Sequence, residues 1–325
     1  MLERAGQLAL SVVVLPVLLV AYLAAAESVV RFLPRPRQGA VRPWVWVGPA
    51  VVLVLAFLVI PALNTLYLSF MDADSTRFVA GENYAHAITD ADFLTAIRNS
   101  VVWLVALPAL AVALGLAMAV LTDRVPYGTA ARSMLFLPVA ISAVAGGVIW
   151  GFMYDYRPPG AAQTGTLNAL LTSFVPGAEP QSWLVSASTN NGALIVATVW
   201  MTAGFCMVIL GAALRGIPDE LLEAARVDGA NEFHIFASIT LPLVAPTITV
   251  VTTTMAILAL KVFDTVYVMT NGNFGTEVIA TIMFKELFSA RDYGRASAVA
   301  VILMAAIVPI MIWNLRSYRR EEAAR

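Results

Sequence analysis

The chain has 325 residues, 60% of them hydrophobic and only 13% charged, with a formal net charge of -1 and a mean hydropathy of +0.80. Soluble domains sit near half apolar and a quarter charged, so a soluble globular protein is excluded. A charge balance this close to neutral gives no reason to expect nucleic acid as a partner, and a single cysteine, Cys206, excludes a disulfide within the chain.

Crossing a hydrocarbon layer of ~30 Å takes ~20 mostly apolar residues. Seven stretches have that length: about 8–31, 45–70, 99–121, 133–154, 193–214, 243–270 and 296–315. The expected fold class is all-α, a polytopic membrane protein with about seven transmembrane helices. The first stretch reads as a span rather than a cleaved leader. It is too long and lacks a small-x-small site before polar sequence, with Ala24-Ala25-Ala26 the one partial match. Residues 1–43 form an N-terminal span with a basic linker, ahead of a second unit over 44–325. Pro16, Pro61, Pro108, Pro138, Pro246 and Pro309 interrupt spans, which is tolerated where neighbouring helices satisfy the freed carbonyls.

Between the spans, residues 71–98 are amphipathic and acid-rich, with Phe78, Tyr84, Phe93 and Ile97 available to lie on the membrane surface. Residues 155–192 contain Pro158-Pro159-Gly160, Pro176-Gly177 and Asn190-Asn191-Gly192, which predict loops with at most a short helix around 167–174. Residues 271–295 open on Asn271-Gly272-Asn273-Phe274-Gly275, again turn chemistry. Trp44, Trp46, Trp200 and Trp313 fall near span ends, as an interfacial belt would place them. Most arginines sit in 31–43, 122–132, 215–241 and the tail after 315. The positive-inside rule makes those segments cytoplasmic, with the N-terminus outside and the C-terminus inside.

The most informative segment is Glu223 to Pro246, a polar island between two apolar stretches. Pro218 suits a first helical turn, and Asp219 and Glu220 sit where the helix dipole favours anions. Leu221, Leu222 and Ala225 make one apolar stripe, while Glu220, Glu223 and Arg226 point elsewhere. Asp228-Gly229 stops that helix. Asn231 caps a second one, which is expected to end before Leu241-Pro242.

Glu223-Ala224-Ala225, Asp228-Gly229-Ala230, Phe233, Ile239, Leu241-Pro242 and Pro246 resemble the EAA signature of permease subunits in binding-protein-dependent ABC importers. The resemblance implies a six-helix importer core plus one N-terminal span. It makes 215–242 a coupling segment that docks in a groove of an ATP-hydrolysing subunit. In that setting Ala224, Ala225 and Gly229 allow close backbone approach, and Glu223 and Asp228 supply charge-assisted contacts. The implied partners are a second, homologous permease, two ATP-binding subunits and an extracytoplasmic sugar-binding protein or lipoprotein, in the inner membrane. The external loops would be the binding protein's platform.

Lys261 and Asp264 lie in a span, where an ionisable group is a functional candidate by default, and their spacing would let them pair on one helix. The stretch Leu260–Asn273 resembles the corresponding segment of maltose-type sugar permeases, and the chain as a whole looks most like permeases for α-glucosides and related oligosaccharides. The resemblance implies a polar pocket between the spans flanking the EAA segment. Its faces here are Thr198, Met201, Thr202 and Phe205, then Met255, Ala259 and Val262. Several are apolar where a sugar site would want amides. The alternative from another class is an ion-coupled secondary transporter using Lys261 and Asp264.

No GxxxxGK[ST] occurs, and neither Lys261 nor Lys285 follows such a loop. ATP and magnesium therefore belong to a partner subunit. His86 and His234 stand outside zinc-ligand spacing. No catalytic residue, metal site or resident cofactor is expected.

Overall fold

The computed structural model describes residues 14, 17, 20–28 and 30–323. Among them the chain is helix and loop, with one isolated antiparallel bridge from Met71 to Phe78. The first expected span, 8–31, lies partly outside the described residues; within it 20–28 is helical. The chain divides into two compact units between Tyr67 and Leu68.

In the first unit, α1 (Arg35–Val54) begins after Pro34 and continues through a wide turn, Leu55–Val59, into Ile60–Leu68. Most of the 31–43 linker is thus helix, and the boundary expected at 43/44 falls inside α1. The wide turn has a local cause. Pro61 lacks an N–H, and its ring collides with the carbonyl four residues back, at Phe57. An i→i+5 turn relieves that collision, and the Ile60 N–H accordingly donates to the Leu55 carbonyl.

The second unit starts with a loop and α2 (Glu82–Thr89), then α3 (Ala91–Asp123). This span begins at 91 rather than 99 because Asp90 caps it, accepting from the Phe93 N–H at 2.8 Å. Phe93, expected on the membrane surface, is instead 1% exposed, packed with Ala87, Ile279 and Val299. Next, α4 (Gly128–Phe136) tightens over Leu137–Ala140 and stops, and α5 (Ala143–Met153) leaves at 102°. The expected span 133–154 is therefore a bent pair. Pro138 opens the tight turn and Ser142 caps the new helix, accepting from the Ala145 N–H.

The short helix expected in the 155–192 loop is α6 (Thr166–Phe174). Asn190-Asn191-Gly192, expected as a turn, opens α7 (Asn190–Arg215). The Asn190 amide donates to the Phe274 carbonyl at 2.7 Å, so a tertiary partner takes the side chain that a local turn would use. Then come α8 (Asp219–Val227), α9 (Glu232–Ile235), α10 (Leu241–Leu260), α11 (Asp264–Met269), α12 (Ile279–Lys285) and α13 (Tyr293–Ala323). Five helices among the described residues are long and apolar enough to span, or six if the bent pair is one span.

The core runs along α3, α7 and α10, through Trp103, Leu107, Ala111, Leu194, Cys206, Leu210, Val251 and Met255. Lipid offers apolar surface as good as any side chain, so close packing has to hold spans together. Gly115 provides it: a Cβ there would stand 2.5 Å from the Cys206 Cβ. Trp200, expected in an interfacial belt, meets Trp150 edge-on at 6.0 Å.

Candidate functional site: a docking hairpin and an intramembrane cavity

The hairpin comes first. Pro218 stands at the cap, one step before the first turn, with Asp219 and Glu220 in that turn. α8 ends in a Schellman motif: Ala230 N–H donates to the Ala225 carbonyl (3.0 Å), Gly229 N–H to that of Arg226 (3.0 Å), and Gly229 has φ +84°. Asn231 then caps α9, its side chain accepting from the His234 N–H at 2.8 Å. That second helix does not end before Leu241-Pro242 as expected. It passes through a wide turn, Phe236–Thr240, straight into α10, with the Leu241 N–H donating to the Phe236 carbonyl. Pro242 stands to this turn as Pro61 does to the other. The hairpin is thus joined to a membrane span with no loop between them.

Its outer face is open. Glu223, Ala224, Asp228 and Gly229 are exposed, Ala225 and Ala230 half-buried, and Val227 and Phe233 are 87% and 79% exposed. Behind it, Glu232 pairs with Arg226 (2.9 Å) and Arg124 (3.6 Å). Asp123, at the end of α3, likewise gathers Arg132 (2.9 Å) and Arg215 (3.3 Å). All these side chains keep solvent contact, so each pair is weak on its own. Together they tie the ends of α3, α4 and α7 to the hairpin.

The cavity, of about 560 Å³, lies where two helices break. Val139, Ile141 and Ala143 at the α4–α5 bend face Lys261 to Thr265 at the α10–α11 break. Discontinuous helices at membrane depth free polar groups where a substrate can use them. Of the nine expected path residues, Thr198, Met201, Thr202, Phe205, Met255, Lys261, Val262 and Asp264 line it. Ala259 does not: it is wholly buried in the core. Thr254, Phe263 and Thr265 also line it; Phe263 and Thr265 were missed because they sit at and after the α10–α11 break, whereas Thr254 is next to the expected Met255 on continuous α10. The Lys261–Asp264 pairing on one helix does not occur. Lys261 caps α10, Asp264 opens α11, and neither has an ion-pair partner among the described residues. Thr202 and Thr254 donate to carbonyls one turn back at 2.8 and 2.9 Å, which leaves their lone pairs free to accept from a ligand. With Lys261 as donor and Asp264 as acceptor, the cavity offers what a polyhydroxyl solute needs.

The end of the unit farthest from the hairpin holds the expected 271–275 turn and, beside it, a buried polar network that sequence reasoning did not anticipate. Asn99, 1% exposed, donates to the Gly275 and Glu277 carbonyls, both at 2.8 Å. Glu277 is 9% exposed, accepts from the Thr281 hydroxyl at 2.5 Å and pairs with Lys285. Only the buried partners, far away in sequence, reveal it.

Membrane spans broken around a mostly apolar cavity that carries a few polar groups, with a hydrophilic hairpin between two of them, fit a transport subunit. The chain belongs to the family described as binding-protein-dependent transport system inner membrane components, which its residues 93–322 match. It is a permease subunit of an ABC importer. It is 52% identical over 280 residues to the osmoprotective compounds uptake permease of Synechocystis sp., covering 86% of this chain and 100% of that one. It is 45% identical over 283 residues to the alpha-glucoside transport system permease of Rhizobium meliloti, covering 87% and 84%. Its fold resembles a chain of the bacterial alginate ABC transporter solved with an alginate pentasaccharide-bound periplasmic protein. The TM-score is 0.76 at 22% identity, over 88% of this chain and 98% of that one.

Proposed function

We propose that this permease forms part of the path for an α-glucoside or related small polyhydroxyl solute, moved inward by ATP hydrolysis in partner subunits. The observation that carries the reading is the cavity at the two helix breaks, where hydroxyls, Lys261 and Asp264 converge. The relatives named for alpha-glucosides and osmoprotective compounds support the substrate class. In this reading 215–242 docks into an ATP-binding subunit through Glu223, Ala224, Ala225, Asp228, Gly229, Ala230 and Phe233. Two such subunits bind ATP and magnesium, a second homologous permease completes the cavity, and an extracytoplasmic binding protein delivers the solute. The hairpin and C-terminus are cytoplasmic, the N-terminus outside. Closure of the ATPase pair pulls the hairpin, and the continuous helix from Glu232 to Leu260 transmits the pull to the cavity wall.

The test is uptake of labelled maltose by the complete importer in proteoliposomes. Gly229→Asp puts a charged side chain on the docking face at a backbone conformation that disfavours any side chain. The variant is expected to insert normally and transport nothing. Unchanged uptake with the ATPase still bound would end the coupling role. Uptake abolished by an ionophore, rather than by removing ATP, would instead favour ion coupling through Lys261 and Asp264.

A further inference from the structure

Two further cavities flank the hairpin where it stands on the bundle. One, of about 630 Å³, lies between the hairpin and the ends of α3 and α7. The other, of about 590 Å³, lies between α9 and the last turns of α3. Four residues line both and form the partition between them: Val120 and Arg124 from the α3 side, Glu232 and Phe236 from the hairpin side. α8 packs chiefly on α9 rather than on the bundle. Folded interiors are close-packed, and here that packing is given up on either side of a narrow wall. The hairpin therefore has room to tilt, with the wide turn Phe236–Thr240 at its base.

Half of that wall is ionic. Glu232 divides its two oxygens between the hairpin and the bundle: Oε1 accepts from Arg226 of the hairpin at 2.9 Å, and Oε2 faces Arg124 at 3.6 Å. All three side chains are half-exposed or more. Opening the longer contact strands no charge, because Glu232 keeps Arg226 while Arg124 and Oε2 pass to water. Arg124 itself stands on a fixed base. α3 and α7 approach closely at Gly115, and the neighbouring Asp123 binds Arg132 and Arg215. One end of the contact thus travels with the hairpin and the other stays with the bundle.

We propose that Arg124 and Glu232 form a releasable latch, closed in this conformation, that holds the hairpin against the end of α3 until the stroke of the docked ATPase opens it. The inference rests on the docking reading of 215–242 above and adds the contact against which the stroke works. The experiment uses the complete importer in proteoliposomes. Arg124→Gln removes the latch and leaves the Glu232–Arg226 pair, whereas Arg124→Lys keeps the charge. Without binding protein, Arg124→Gln should raise ATP hydrolysis about two- to five-fold, the population shift that one weak exposed pair can supply. Its melting midpoint should not change, and Arg124→Lys should hydrolyse ATP at the unmodified rate. A second arm holds the latch shut. Arg124→Cys and Glu232→Cys, in a Cys206→Ser background, are bridged by a short reducible bis-thiosulfonate. Bridging should abolish uptake of labelled maltose, and dithiothreitol should restore it. Undiminished uptake by the bridged complex, with Gly229→Asp inactive, overturns the latch alone. Unchanged hydrolysis in Arg124→Gln, or an equal rise in Arg124→Lys, also overturns it. Uptake retained by Gly229→Asp overturns the docking reading and the latch together.

Discussion

Asn99 shows how much one side chain can hold. Its amide satisfies two backbone carbonyls from a loop 176 and 178 residues away, and a buried carbonyl left without a donor costs about 1–3 kcal/mol. Asn99→Ala is expected to destabilise the protein by about 2–4 kcal/mol, read as a lower melting midpoint in detergent; an unchanged midpoint would mean the loop is held by other contacts. Glu286 behaves differently. Its buried Oε2 has no hydrogen-bond partner among the described residues, and burial pushes its carboxyl above the ordinary range despite the opposing field of Arg295. A carboxyl that holds its proton more tightly in the folded state loses stability as pH rises from its ordinary value through the raised one. Glu286→Gln carries no such charge. It should raise the midpoint at pH 8 and leave it nearly unchanged at pH 4, and equal effects at both would exclude this origin. Neither residue stands out in the sequence, because burial against distant segments makes them consequential.

At the scale of elements, two prolines set the helix geometry from within the chain. Pro61 and Pro242 each follow a five-residue wide turn, and each turn sits where an ordinary helix would drive the ring into a carbonyl. Pro242 matters more, because its turn fixes how the docking hairpin is rotated relative to α10. Replacing it removes the reason for the turn, and closing the turn by one residue rotates everything before it by about 100°. Pro242→Ala should therefore keep or raise thermal stability while lowering ATP-driven uptake. Full uptake with a raised midpoint would show that the rotation is irrelevant to coupling. The caps were readable in advance: Asp228-Gly229 and Asn231 act locally, so their residue types suffice. The helix through Pro242 was not, since proline normally argues for an end and the wide turn is the exception.

For the molecule as a whole, the decisive question is which side of the membrane the hairpin faces. Cys206 is the only cysteine and is buried, so Ala225→Cys in a Cys206→Ser background gives a clean reporter. A membrane-impermeant maleimide should label it in inside-out vesicles and not in intact cells; labelling of intact cells would reverse the topology and remove the ATPase from reach. Most of the spans and the hairpin were legible in the amino-acid order, because hydropathy, helix caps and the EAA-like pattern are local properties, and half of the cavity-lining positions followed from the resemblance to maltose-type permeases. The breaks at Ile141-Ser142 and Lys261–Phe263, the burial of Phe93 and Glu277, and the packing of Phe263, Tyr267 and Phe284 on one another were settled only by tertiary structure. An apolar run reads the same whether its helix is continuous or broken, and a polar side chain finds a buried partner only when segments far apart in the chain are brought together.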